Sequence, residues 1–148
     1  MSKIEFDTSK IVIDTREKTP YPFEGAIKTA LLIGDYSITG LEDEIAIERK
    51  QVEEMFFVCG QQRKRFLDEL SRSEFLKYFA IVIEGNMDDI IKKQHFSKGV
   101  TPRAVMRSLL TWSVQYGAHV FFCGSRENGM ATTLCLLEKY LKICEKKT

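Results

Sequence analysis

Glu48, Arg49 and Lys50 close the stretch Glu44-Ile45-Ala46-Ile47-Glu48-Arg49-Lys50. In a strand, successive side chains point to opposite faces. Ile45 and Ile47 therefore share one face and turn into a core. Glu48 and Lys50 share the other with Ala46 and project side by side. In most chains an acid and an amine placed so are a solvated ion pair at a strand end. A second carboxylate changes that reading. Asp35, in Ile33-Gly34-Asp35-Tyr36, completes the spacing D-x12-E-x-K, and a hairpin through Thr39-Gly40-Leu41-Glu42-Asp43 lays it beside the Glu48 strand. Two carboxylates and an ammonium at one place are what phosphodiester hydrolysis needs. The carboxylates hold a hard cation such as Mg²⁺ through oxygen ligands. The cation polarises the phosphoryl oxygen and acidifies a bound water. The lysine orients that water or stabilises the developing negative charge. This spacing alone occurs by chance in many chains.

Asp14-Thr15-Arg16-Glu17 adds to it. Asp14 ends the β-branched run Lys10-Ile11-Val12-Ile13, where a bare carboxylate is costly unless paired or solvated. Taken alone, it is a strand-end cap.

The elements that must position these groups are legible in outline. Lys10–Asp14, Ala30–Ile38 and Glu44–Lys50 read as strands, and Thr19–Gly25, with two prolines, breaks regular structure. Gln51–Ser73 reads as a helix interrupted at Gly60, with an apolar stripe of Phe66, Leu67 and Leu70 and a basic opposite face. The unbroken apolar run Tyr78–Glu84 suits a strand buried on both faces. Thr101-Pro102 starts a helix carrying Val105, Leu109, Trp112 and Tyr116 at helical spacing. Ala118–Cys123 reads as another buried strand. A last helix is lined by Met130, Leu134, Leu137 and Leu141. The order predicts an α/β fold, with one mixed central β-sheet flanked by helices in a single domain over residues 1–148.

The segments IVIDTRE, IGDY and IERK, in that order, resemble the nuclease domain of XPF-type structure-specific endonucleases. Those enzymes belong to the PD-(D/E)xK, or restriction-endonuclease-like, group. Asp14 and Glu17 match the family's D-x-x-E element, Gly34 and Asp35 its GD, and Glu48-Arg49-Lys50 its ERK. The resemblance continues through Gln62-Arg63-Lys64-Arg65-Phe66 and into YFAIVIEG, covering roughly residues 10–90. It implies a restriction-endonuclease-like fold and metal-dependent cleavage of branched, flapped or otherwise structured DNA. The implied catalytic residues are Asp14, Glu17, Asp35, Glu48 and Lys50, with Asp14, Asp35 and Glu48 holding Mg²⁺ or Mn²⁺. A homodimer is also implied. Two departures stand out. Glu54 replaces the family's aspartate three residues after ERK, and the C-terminal helix-hairpin-helix module is missing from this chain.

Arg16, Arg49, Arg63, Lys64, Arg65, Arg103 and Arg107 are the candidate phosphate contacts, since backbone phosphates attract Lys and Arg regardless of sequence. Phe56, Phe57, Trp112 and Phe121 are expected in the core. The formal net charge of +1 neither requires nor excludes nucleic acid, because distribution matters more than the sum. The four cysteines, Cys59, Cys123, Cys135 and Cys144, form no CxxC pair and read as reduced core thiols. His95 and His119 lack ligand spacing. With no signal peptide and no long apolar run, an intracellular, soluble protein without a membrane partner is expected. Two other readings share these residues: a catalytically dead scaffolding subunit, and a phage or mobile-element nuclease acting on less structured DNA. The first is expected to lose the motif acids, and this chain keeps them all.

Overall fold

The computed structural model describes residues 6–93 and 99–147; His95 lies outside the described residues. After a 3-10 turn at Thr8–Lys10 come β1 (Ile11–Ile13), β2 (Ile27–Lys28), β3 (Tyr36–Ile38), β4 (Ile45–Lys50), α1 (Val52–Cys59), α2 (Arg63–Ser73), β5 (Tyr78–Ile83), α3 (Met87–Ile91), α4 (Pro102–Tyr116), β6 (His119–Phe122) and α5 (Arg126–Lys147). One six-stranded sheet runs in the order β2-β1-β3-β4-β5-β6. β3 is antiparallel to both β1 and β4, while β4, β5 and β6 run parallel, as do β1 and β2. The expected mixed sheet with flanking helices is what forms.

Both sheet faces are covered, and each has its own core. Ala46, Phe79, Ile81 and Ile83 pack under α1, α2 and α4 with Met55, Phe66, Leu70 and Trp112. Ile45, Ile47, Ala80 and Val82 pack on the other face with Tyr21, Tyr36 and Leu137 of α5. The β4 face that carries Glu48 is therefore roofed by helices. The sequence pattern showed only that it was not the Ile45 face.

Local chemistry explains most boundaries. The α4 start is capped as expected: Thr101 Oγ1 accepts from Ala104 N at 3.1 Å. α1 ends at Gly60, and α2 begins anew at Arg63. Four expectations need correction. Ala30–Ile38 is not one strand, because Gly34 sits at φ +77 and bends the chain, leaving only Tyr36–Ile38 in the ladder. β2 was not foreseen: two exposed residues carry no alternation. α3 was missed as well; it is five residues long and held by Asp89 accepting from Asn86 N at 2.7 Å. β6 is an edge strand with an exposed His119 and half-buried neighbours rather than a buried one. Phe56 and Trp112 are core residues, but Phe57 is 38% exposed. His119 stacks on Tyr78 with ring centroids 4.5 Å apart. All four cysteines are free thiols. Among the described residues, no helix is long and apolar enough to cross a membrane.

Candidate active site

Strand register places the acids. β1 pairs Ile13 with Tyr36, and β3 pairs Tyr36 with Ile47. One step further along, Asp14 N donates to Asp35 O at 2.9 Å and Asp35 N to Ile47 O at 2.8 Å. Asp14, Asp35 and Glu48 thus form a row across three neighbouring segments of the sheet, on one face, since opposite residues of antiparallel strands share a face. The hairpin spacing alone would also allow them to meet at a sheet edge. The meeting place is instead the end of the central strands.

The row floors a cleft of about 370 Å³. Lys50 and Phe66 also line it, and Arg16, Lys18, Arg65 and Arg72 surround it with positive charge. Lys50 Nζ bonds Glu48 Oε2 at 2.6 Å and sits 5.4 Å from the centre of the Phe66 ring. Asp14, by contrast, is committed. Its Oδ1 accepts from Leu31 N at 2.8 Å, and its Oδ2 pairs with Arg16 Nε at 2.9 Å. Arg16 Nη2 in turn donates to Leu31 O at 2.8 Å. Among the described residues, no three His, Cys, Asp or Glu side chains are close enough together to enclose a metal ion by themselves.

The electrostatics follow from this crowding. Burial, and then the charge of Glu48, pushes the Asp35 carboxyl well above its usual range. Burial pushes Glu48 up to about 7; Lys50 opposes this and the nearby Glu69 adds to it. Burial works against the Lys50 ammonium too, but Glu48 and Asp35 outweigh it and hold the amine above the ordinary lysine value. For Asp14, burial is overcome by Arg16 and the Leu31 N–H, and its carboxyl stays below the usual value. Two neighbouring buried acids that resist ionising together, with oxygen donors only, fit a divalent hard cation.

A stability prediction comes with Glu48. Its folded pKa lies above its unfolded value, so the native state carries an extra proton between about 4.5 and about 7. Stability must then fall as pH rises through that window. Glu48→Gln removes the titration and keeps an acceptor for Lys50. In the cation-free protein it should leave stability near wild type at pH 5 and raise it at pH 8 by roughly 1–3 kcal/mol. Calorimetry at the two pH values checks this; equal midpoints for variant and wild type at pH 8 would contradict it.

Arg49 lies between Glu48 and Lys50 in sequence but on the opposite sheet face. It was a candidate phosphate contact, and the structure corrects that. Its side chain is 5% exposed, paired with Glu84 through Nε at 2.8 Å, and it donates through Nη1 to Thr19 O at 2.8 Å. Glu17 belongs to the same network. Its Oε2 accepts from Tyr36 Oη at 2.8 Å and pairs with Arg49 at 3.3 Å, and it does not line the cleft. Glu17 thus sits with Arg49 and Tyr36 rather than lining the cleft, while its charge still bears on Asp35. Tyr21 Oη donates to Glu84 Oε2 at 2.6 Å, and Arg126 of α5 donates to Thr19 O and Pro20 O at 3.0 Å each.

The basic candidates divide by helix face. α2 turns Gln62, Arg65, Phe66, Glu69 and Arg72 to the cleft. Arg63 instead packs α2 on α4, donating to Ser108 Oγ at 3.0 Å with its guanidinium 5.7 Å from the Trp112 ring centre. Lys64, Arg103 and Arg107 are exposed and do not line the cleft. Sequence reasoning missed Lys18, Arg72 and Glu69. Glu69 borders the apolar stripe of Phe66 and Leu70, a position that in sequence looks like any solvated helix acid. Glu54, the departure from the ERK pattern, accepts from Gln51 N at 3.1 Å and so caps the start of α1.

The profile of the ERCC4 domain family matches residues 13–136. Among solved structures, XPF from Aeropyrum pernix superposes with a TM-score of 0.67 at 19% identity, covering 88% of this chain and 64% of that one. XPF from Aeropyrum pernix in complex with DNA superposes with a TM-score of 0.65 at 21% identity, covering 89% of this chain and 64% of that one. This chain thus spans about 64% of the length of those structures. No protein of curated function matches it.

Proposed function

The chain belongs to the ERCC4 domain family of XPF-type nuclease domains, and on that premise we propose that it is a divalent-metal-dependent endonuclease acting on branched, flapped or otherwise structured DNA. The observation that carries the reading is the group of buried Glu48 with half-buried Asp35 and Lys50 at the floor of a cleft rimmed by cations. The DNA complex of the similar XPF structure supports DNA as the ligand.

Asp35 and Glu48 would hold Mg²⁺ or Mn²⁺, with Asp14 next in the row. When bound, the metal supplies Lewis-acid polarisation of the phosphoryl oxygen and a water acidified for attack. The chain's own residues do the rest. Arg16, Lys18, Arg65 and Arg72 draw the backbone into the cleft. Lys50, directed at Glu48, places a fixed positive charge where negative charge develops on the phosphate. Phe66 and the helical roof limit water around that charge, which strengthens its effect.

The test is incubation with labelled single-stranded, duplex, splayed-arm, flap and four-way DNA, with Mg²⁺, Mn²⁺, Ca²⁺ or EDTA. Cleavage of branched substrates with Mg²⁺ or Mn²⁺ is expected. Full activity in excess EDTA removes the metal from the proposal, and equal rates on plain duplex remove the structure preference. A second reading, a DNA-binding subunit of the same fold that does not cut, is favoured by one observation. Lys50 already occupies Glu48, and Arg16 with Leu31 already occupies Asp14. Binding of branched DNA with no cleavage under any cation would establish it.

The cleft rim gives a further expectation. Replacing Arg65 and Arg72 together with alanine should weaken binding to all DNA sequences alike and reduce the salt slope by up to about two phosphate contacts. Anisotropy titrations at several salt concentrations check this, and an unchanged slope returns both residues to solvent. A homodimer is carried forward as part of the proposal, since α4 leaves Leu110 63% and Val114 88% exposed. Sedimentation equilibrium that returns only the 17.1 kDa monomer would remove it.

A further inference from the structure

We propose that Glu69 of α2 is a positioning residue that holds the Gly34–Asp35 bend, and with it the Asp35 carboxyl, in place from outside the sheet. What the site does rests on the nuclease reading above; how it is held rests on contacts that stand without it.

Glu69 Oε1 accepts from Gly34 N at 3.0 Å. Gly34 immediately precedes Asp35 and sits at φ +77. A Cβ on Gly34 would lie 2.9 Å from Ala46 Cβ and 3.2 Å from Ile47 O, so the bend passes hard against β4. Asp35 N is taken by Ile47 O. The bend is thus fastened to β4 on one side and to α2 on the other, and the α2 fastening is Glu69. The Glu69 side chain also lines the same cleft as Glu48. One side chain on a helix is therefore bonded to the bend that sets Asp35 and faces the cleft that Glu48 floors.

The ordinary alternative is a solvated helix glutamate. It does not fit here, because Glu69 lines the cleft and is bonded to a buried main-chain N–H. An ionised acceptor makes that bond stronger than a neutral one. Groups that orient metal-binding carboxylates commonly matter almost as much as the carboxylates themselves.

Glu69→Ala and Glu69→Gln, with folding verified by circular dichroism, are compared with wild type in three measurements. These are amide exchange at Gly34 and Asp35 by NMR, Mn²⁺ affinity of the DNA-free protein by electron paramagnetic resonance, and single-turnover cleavage. In Glu69→Ala, Gly34 exchange should rise about tenfold or more, with Mn²⁺ affinity and cleavage rate each falling about 10–100-fold. Glu69→Gln retains an oxygen acceptor for Gly34 N and should stay within about fivefold of wild type in all three. Wild-type exchange and Mn²⁺ affinity in the alanine variant would overturn the proposal. So would a glutamine variant as impaired as the alanine one, because the charge would then act directly rather than through position. The exchange measurement needs no turnover. If wild type never cuts DNA, the nuclease reading fails, and the behaviour of Gly34 still decides the role of Glu69.

Discussion

Lys50→Ala is expected to lower the single-turnover rate of DNA cleavage by about 10²–10³, or roughly 3–4 kcal/mol of transition-state stabilisation. DNA affinity should change far less, because it is spread over several phosphate contacts along the cleft rim. The reason lies in what Lys50 is bonded to. Its ammonium sits on Glu48 at 2.6 Å, inside a buried site, with Asp35 as a second negative neighbour. It is a fixed point charge rather than a ligand. Its loss also strips Glu48 of its main opposing cation, so the Glu48 carboxyl should titrate still higher. The pH dependence of any residual cleavage should therefore move to higher pH. Asp35→Ala and Glu48→Ala should lose cation binding as well as cleavage. A Lys50→Ala protein that cuts at the wild-type rate with an unmoved pH profile would show that the site has been misassigned.

The second large effect concerns folding. Arg49→Met should destabilise the protein by about 3–5 kcal/mol, the usual cost of removing one partner from a buried ion pair. Arg49 pairs with Glu84 through Nε at 2.8 Å and Nη2 at 3.2 Å, with both side chains almost fully buried. Without it, among the described residues, Glu84 keeps the Tyr21 hydroxyl and Glu17 that of Tyr36. Domains of this kind are commonly stable by only about 5–15 kcal/mol, so the loss is a large fraction of the whole. Urea titration should show a clearly lower midpoint. Arg49→Lys should fall between, since it retains the charge and loses the fork. The double variant Arg49→Met with Glu84→Met should recover much of the loss, because no unpaired charge is left between those two positions. A single variant within about 1 kcal/mol of wild type would show that the network adds little.

Much of the site could be read from the chain alone because its residues sit at strand ends, where alternation dictates direction. Glu48 and Lys50 are the clearest case. Alternation also sends Arg49 to the far face, but its neighbours there come from Thr19, Glu84 and α5, and no local pattern links such distant segments. Gly34 misled the strand assignment. Apolar residues flank it at Leu31, Leu32, Ile33 and Tyr36, and only a left-handed backbone torsion reveals the bend. Glu69 was hidden for a different reason. A helix face is read by its apolar stripe, and an acid bordering that stripe looks like solvent surface until a neighbouring loop arrives to bond it. β2 shows the limit at small scale, since two exposed residues cannot announce a pairing.

The register of β4 has a consequence for the life of the protein inside a cell. The acids come from Asp14, Asp35 and Glu48, and β4 is hydrogen-bonded on one flank by β3 and on the other by β5, which ends at Ile83. A nascent chain still short of Tyr78 has β4 as an unpaired edge, and Arg49 has no Glu84 to neutralise it. Slipping β4 by one residue would exchange the Glu48–Lys50 face with the Arg49 face, so no approximate version of the cleft exists. The row of acids at the cleft floor therefore depends on the finished sheet and on a single register of β4.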